Sequence, residues 1–227
     1  KVILFGYPNN PTGAIMQKED WEDIAPLFIA HDILVISDEV YSELTYGSRG
    51  HFSIAALPGM YGRTIVMNGF SKAYAMTGWR LGYACGPADI IAAMVKIHQY
   101  VIMCAPTVAQ YAGIDALRNG RDGVAEMRKD YDRRRRYLLD GFEKMGIECF
   151  EPRGAFYTFP SIKKTGFSSE DFCTRLLMEE RLAVVPGTAF GECGEGYIRC
   201  CYAYSIEELK EALSRLGRFV HRYGMVK

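Results

Sequence analysis

Several side chains able to do acid–base or covalent chemistry stand directly beside predicted strands in the first part of the chain. They are an amine, a carboxylate, a hydroxyl, a guanidinium, a phenol and an amide, at Lys72, Asp38, Ser71, Arg80, Tyr41 and Asn10. Ligands of open α/β sheets bind beyond the carboxyl ends of the strands. We therefore expect the polar segments at 8–13, 38–41 and 68–72 to converge there. Arg80 joins them if the strand that follows it is antiparallel.

This set of groups matches what pyridoxal phosphate requires from a protein. A lysine bonds to the cofactor's aldehyde carbon, a carboxylate keeps the pyridine nitrogen protonated, and a guanidinium and a hydroxyl bind the phosphate. Because the aldehyde and phosphate arms leave adjacent ring carbons, the adjacent residues Lys72 and Ser71 can serve both. Small neighbours such as Gly69 and Ala73 let a flat ligand approach the backbone. From the residues alone, two interpretations are equally supported. Either these side chains form one cofactor site, or they are unrelated surface and helix-capping residues.

The elements that must position these side chains follow from the apolar pattern. Short β-branched runs bounded by Gly, Pro or Asn predict strands buried on both faces. These strands lie at 2–7, 33–37, 64–67 and 81–85. A helix over 18–31 is predicted from the spacing of apolar Trp21, Ile24, Ala25 and Phe28. The alternation predicts an α/β fold with a mostly parallel sheet flanked by helices.

The remaining sequence predicts a smaller α+β domain after a helical stretch. Helices are expected at 89–100, 107–119 and 123–145, then at 168–180 and 205–223, with strands at 156–159, 183–185 and 197–203. Ser168 and Ser205 each precede an acidic residue by three positions, which is typical of helix N-caps. We expect a partial large domain at 1–122 and a small domain at 123–227. The helix 123–145 would bridge them.

Composition excludes several classes of protein. Among 227 residues, 27 Lys plus Arg are balanced by 27 Asp plus Glu, so no excess charge favours nucleic acid or an anionic membrane. The four arginines at 133–136 are interleaved with acidic Glu126, Asp130, Asp132 and Asp140, which favours a solvated, salt-bridged helix face. No apolar run reaches the roughly 18 residues of a membrane helix. Seven cysteines without CxxC spacing predict reduced thiols, a cytoplasmic location and no metal site.

Four motifs, in family order, are similar to those of class I/II aminotransferases of the aspartate aminotransferase-like fold type I. They are NNPTG at 9–13, SDEVY at 37–41, GFSKAYAMTGWRLG at 69–82 and YIRCCYA at 197–203. The third resembles the long and specific pyridoxal-phosphate attachment signature. The resemblance covers the whole chain, and it implies that the first domain is part of the large domain of a pyridoxal-phosphate-dependent transferase.

The resemblance also implies a role for each matching residue. Lys72 would be the cofactor-bonded lysine and proton shuttle, and Asp38 would pair with the pyridinium nitrogen. Asn10 and Tyr41 would hydrogen-bond the ring's phenolic oxygen, with Asn10 also at the substrate. Ser71 and Arg80 would bind the phosphate. Arg199 would bind the substrate's α-carboxylate through both nitrogens of its fork.

The implied activity is amino-group transfer between an L-amino acid, aspartate-like or aromatic, and a 2-oxo acid in amino acid metabolism. Two alternatives share the cofactor residues: a carbon–sulfur β-lyase and a ligand-sensing domain of a transcription regulator. The family pattern has a substantial portion ahead of NNPTG, so we expect this chain to be a C-terminal fragment, inactive by itself. Family resemblance and uncovered sheet surface both predict a homodimer.

Overall fold

Residues 1–223 are described by a computed structural model, in which the chain divides into two units. Unit 1 comprises residues 1–9, 15–128 and 153–155. Unit 2 comprises residues 10–14, 129–152 and 156–223 of the described chain. The domain boundary at 122/123 stays a prediction.

A four-stranded sheet organises unit 1. Its strands are β1 (Val2–Gly6), β2 (Leu34–Asp38), β3 (Thr64–Gly69) and β4 (Gly82–Cys85), in that spatial order. β1, β2 and β3 are parallel, whereas β4 runs antiparallel to β3. The predicted mostly parallel sheet is therefore confirmed. The antiparallel β4 also meets the condition under which Arg80 reaches the carboxyl ends of the other strands.

Helix α1 (Lys18–Ala30) covers one face of this sheet, as its apolar spacing predicts. Trp21, Ala25 and Phe28 are buried, and Ile24 packs against the same cluster. Phe5 of β1 contacts Trp21 edge-on, with ring centroids 5.4 Å apart. This cluster is a hydrophobic core on the α1 side of the sheet.

The expectation that every strand is buried on both faces is wrong for β1 and for β4, in which Gly82, Tyr83 and Cys85 are exposed. Val2 and Leu4 are 59% and 66% exposed, and Met67 of β3 is 41% exposed. Because side chains alternate along a strand, Ile3 and Phe5 face the α1 core while Val2 and Leu4 face the opposite side. In this chain that second apolar face is left open.

Unit 1 contains one further α-helix between β3 and β4 and others after β4. They are α2 (Phe70–Ala73), α3 (Ala88–Val101), α4 (Thr107–Asn119) and the beginning of α5 (Arg121–Lys144). The apolar side chains of α3 are largely exposed, with Ile97 and Tyr100 at 67% and 94%. Uncovered apolar surface was expected, and the structure confirms it. Among the residues described, no helix is long and apolar enough to cross a membrane.

Unit 2 is an α+β unit with a three-stranded antiparallel sheet. Its strands β5 (Tyr157–Thr158), β6 (Val185–Pro186) and β7 (Ile198–Cys201) are ordered β5-β7-β6. Helices α6 (Ser169–Glu180) and α7 (Ile206–Arg222) pack together. Ser168 and Ser205 cap them as predicted, and Ser205 forms a complete capping box with Glu208.

The arginine run on α5 is salt-bridged, as predicted, but it is not a uniformly solvated face. Arg133 and Arg134 pair with Asp130, whereas Arg135 and Arg136 pair with Asp132. Asp140 pairs instead with Lys144. Arg135 is buried, because its guanidinium turns inward to Glu151 and to the Pro152 carbonyl.

Arg135 should therefore contribute more to stability than its neighbour Arg133. We expect Arg135→Gln to lower the free energy of unfolding of the full-length protein by about 2 kcal/mol, because the buried Pro152 carbonyl and Asp132 each lose a charged donor. Urea denaturation monitored by circular dichroism measures this loss. Arg133→Gln is the matched control, since Arg133 makes an exposed pair with Asp130. Equal midpoints for the two variants would contradict the prediction.

Candidate functional site

Lys72 is carried by the short helix α2 directly after β3. Gly69 ends the strand where its backbone lies against β4: a Cβ at this position would come within 3.1 Å of the Leu81 carbonyl oxygen. The Phe70 amide donates to that same carbonyl, and the Phe70 side chain is buried. The backbone just before Lys72 is therefore held close to the start of β4. Its Nζ lies 5.7 Å from the centroid of the Tyr41 ring.

Asp38 and Tyr41 stand at the end of β2 and in the turn that follows it. Asp38 is the last residue of β2, and its Oδ1 accepts from the Val40 amide at 3.1 Å. The Ser42 amide donates to the Glu39 carbonyl at 2.9 Å, which closes a turn containing Tyr41. Tyr41 is buried. The turn therefore presents a carboxylate and a phenol from the carboxyl end of β2.

Arg80 and Ser71 belong to the same unit. Arg80 has left-handed backbone geometry, with φ of 54°, and precedes β4 by two residues. Because Gly82 pairs with Gly69, Arg80 enters the sheet at the end where β3 leaves it. Its Nη1 donates to the Thr77 carbonyl at 2.8 Å. Ser71 precedes Lys72 within α2.

The other two predicted residues, Asn10 and Arg199, both belong to unit 2. Arg199 lies on β7, and its Nη1 donates to Asn10 Oδ1 at 2.8 Å. Its Cζ lies 4.4 Å from the ring centroid of Tyr157 and 4.8 Å from that of Phe190. Its Nε is buried without a hydrogen-bond partner. The guanidinium is thus stacked against aromatic rings and retains an unsatisfied donor.

Two features of these surroundings were missed by sequence reasoning. One is the pair of rings at Tyr157 and Phe190. The other is a buried polar cluster in which Glu39 accepts hydrogen bonds from Ser37 and Ser53 and lies 2.8 Å from His51. The only available signal for the cluster was the acidic pair at 38–39. In residues 1–223, no group of three or more His, Cys, Asp or Glu side chains is arranged to hold a metal ion.

Comparison with known proteins identifies the family. Its sequence model, described as "Aminotransferase class I and II", matches residues 1–216. A putative aminotransferase of Bacillus subtilis, YugH, is 54% identical over 98% of this chain and 57% of its own length. An aspartate aminotransferase of Pyrococcus abyssi is 50% identical over 96% of this chain and 57% of its length.

A solved structure agrees with these sequence relatives. The crystal structure of an aromatic aminotransferase from Pyrococcus horikoshii matches with a TM-score of 0.96 and 47% identity, over 100% of this chain and 61% of that one. The chain thus spans about 57% of the length of the curated relatives above. It belongs to the class I and II aminotransferase family.

Proposed function

We propose that the protein is a pyridoxal-phosphate-dependent aminotransferase, with Lys72 as its catalytic lysine. The observation that carries this proposal is the arrangement around Lys72 in unit 1. Lys72 follows β3, and its Nζ lies beside the Tyr41 ring. Asp38 is the last residue of the neighbouring parallel strand, and Arg80 lies just before antiparallel β4. An amine, a phenol, a carboxylate and a guanidinium thus belong to one end of one sheet.

The chemistry of this donor set fits pyridoxal phosphate. When bound, the cofactor supplies an aldehyde for the lysine and an electron-accepting ring that stabilises negative charge at the substrate's α carbon. In the proposal, Asp38 holds the ring nitrogen protonated, and Ser71 and Arg80 bind the phosphate. Tyr41 and Asn10 would each donate a hydrogen bond to the ring's phenolic oxygen.

The protein's own part in the reaction is proton transfer and carboxylate binding. Lys72 would take up the α proton of the amino acid at Nζ and would release it again later in the reaction. Arg199 binds the α-carboxylate of the substrate. The stacked guanidinium and its buried, partnerless Nε support this role, because a buried donor without a partner is costly unless a ligand satisfies it.

The proposed substrates are an aspartate-like or aromatic L-amino acid and a 2-oxo acid. Relatives named as aspartate and as aromatic aminotransferases support both side-chain classes. Uncovered apolar surface on β1 and α3 supports a homodimer. We propose a cytoplasmic enzyme of amino acid metabolism.

An amino-donor and keto-acid panel on the full-length protein tests this function. We expect pyridoxal phosphate to be bound, and aspartate or an aromatic amino acid to convert 2-oxoglutarate into glutamate. Pyruvate released from cystathionine or cysteine without a keto acid would indicate a β-lyase instead. Cofactor binding with no turnover on any pair would favour a ligand-sensing domain, and absence of cofactor binding would contradict the proposal altogether.

A further inference from the structure

Glu39 is a buried carboxylate for which the proposed reaction has no use. It is 4% exposed and lies between Asp38 and Tyr41, two residues with proposed cofactor contacts. Burial of a carboxylate costs free energy unless hydrogen bonds satisfy it. Neighbouring side chains supply such bonds to Glu39. The purpose of this buried, hydrogen-bonded carboxylate needs an explanation.

The partners of Glu39 come from separate parts of unit 1. Ser37 Oγ donates from β2 at 2.9 Å, and Ser53 Oγ donates at 2.6 Å from the start of a short 3₁₀ helix. His51 Nε2 lies 2.8 Å from Glu39 Oε2, with its side chain 15% exposed. Burial alone would raise the pKa of Glu39, but the bonds from His51, Ser53 and Ser37 outweigh it and hold that pKa below its usual value. The carboxylate is therefore charged near neutral pH.

These bonds fix the direction of the neighbouring side chains. The bond between Ser37 and Glu39 puts their side chains on one side of the chain where β2 ends, so Asp38, the last residue of β2, points to the opposite face. The backbone of Glu39 is held as well: its amide donates to the Met67 carbonyl of β3, and its carbonyl accepts from the Ser42 amide. The position of Glu39 consequently determines where Asp38 and Tyr41 lie.

The same turn is tied to the segment that carries Lys72. Asn68 Nδ2 donates to Ser42 Oγ at 3.0 Å, and Asn68 Oδ1 accepts from the Gly69 amide at 2.7 Å. Asn68 thus connects the end of β3 with the turn after β2. A shift of the turn would change the place of Tyr41 relative to the lysine.

We propose that Glu39 is a positioning residue, which holds the turn after β2 through Ser37, Ser53 and His51 so that Asp38 and Tyr41 contact the cofactor correctly. This inference rests on the proposed function. Glu39 acts on the reaction through its neighbours Asp38 and Tyr41. It does not itself contact the substrate.

Glu39→Gln in the full-length holoenzyme tests the proposal, because it keeps the shape and removes the charge. A hydrogen bond from Tyr41 favours the anionic form of the cofactor's phenolic oxygen. If Glu39→Gln weakens that hydrogen bond, the anionic form is stabilised less. The midpoint of the pH titration of the cofactor's visible absorbance should therefore rise by about 0.5 unit or more. We expect kcat/KM to fall roughly 10- to 100-fold through misplacement. Ser37→Ala removes one donor and should shift the midpoint in the same direction by less.

Two controls separate positioning from stability. Glu19→Gln removes an exposed carboxylate, paired with Arg49, and should leave the midpoint unchanged. Phe28→Ala makes a cavity in the hydrophobic core on the α1 side of the sheet, at a side chain that takes no part in the hydrogen bonds of Glu39; it should lower Tm without moving the midpoint.

The outcomes distinguish this inference from the proposed function. A wild-type midpoint in both Glu39→Gln and Ser37→Ala, or an equal shift in Phe28→Ala, would overturn the positioning role alone. A full-length wild-type protein without a cofactor absorbance would overturn the positioning role together with the proposed function.

Discussion

Replacing Lys72 with alanine should abolish amino transfer in the full-length protein, with kcat/KM reduced about 10⁴-fold. The reason is that α2 holds the amine beside Tyr41, so loss of the side chain removes both the covalent partner of the cofactor and the proton carrier. Borohydride reduction followed by peptide mass spectrometry measures the loss of the covalent partner, since only the wild type should retain the cofactor mass on the peptide containing Lys72. Steady-state kinetics measures the loss of the proton carrier.

Two further variants sharpen this experiment. Lys72→Arg keeps a cation near the Tyr41 ring but forms no bond with an aldehyde, so we expect it to be as inactive as Lys72→Ala. Lys18→Ala removes an exposed lysine paired with Glu22 and should behave like the wild type. A cofactor-modified peptide that still appears in Lys72→Ala would place the attachment at another lysine and refute the assignment.

Local signals allowed much of the fold to be predicted from the sequence. Each strand of unit 1 is a short apolar run with a breaker at its end, and the helix caps at Ser168 and Ser205 depend on residues three positions apart. The positions of Asp38 and Lys72 at strand ends were predictable for the same reason. Their proposed roles came from the motifs, since a lone lysine or aspartate after a strand has many uses.

The parts that could not be predicted depend on contacts between distant segments. Glu39 is satisfied by His51 and Ser53, which lie 12 and 14 residues away along an irregular stretch. The burial of Arg135 depends on Glu151 and on the Pro152 carbonyl, 16 and 17 residues away. The partners of Glu39 and of Arg135 are not placed at helix or strand spacing in the sequence. The charge pattern alone therefore predicted that Arg135 is solvated.

The rings around Arg199 were equally hidden from the sequence. Tyr157 lies on β5, which pairs with β7, whereas Phe190 ends a 3₁₀ helix after β6. Only the order β5-β7-β6 brings strands from both sides next to the arginine. A motif can place an arginine in a strand, but the sheet order decides which side chains surround it.

Arg199→Lys should lower kcat/KM for α-amino acids by about 10²- to 10³-fold, as expected for loss of a hydrogen-bonded charge partner. A lysine keeps the charge but lacks the planar fork, so it neither stacks on Tyr157 and Phe190 nor offers two parallel donors to a carboxylate. Steady-state kinetics with the preferred amino acid measures the loss, most of which should appear in KM.

The identity of the lost contact can be established from the substrate side. An amine with the same side chain but no α-carboxylate should react equally slowly with wild type and Arg199→Lys, because neither can use a carboxylate that the substrate lacks. Arg175→Lys is the matched control: Arg175 also stacks on an aromatic ring, Phe167, at 5.0 Å, but has no proposed contact with substrate. Similar losses for the amine and the amino acid in Arg199→Lys would show that the arginine supports the fold rather than the carboxylate.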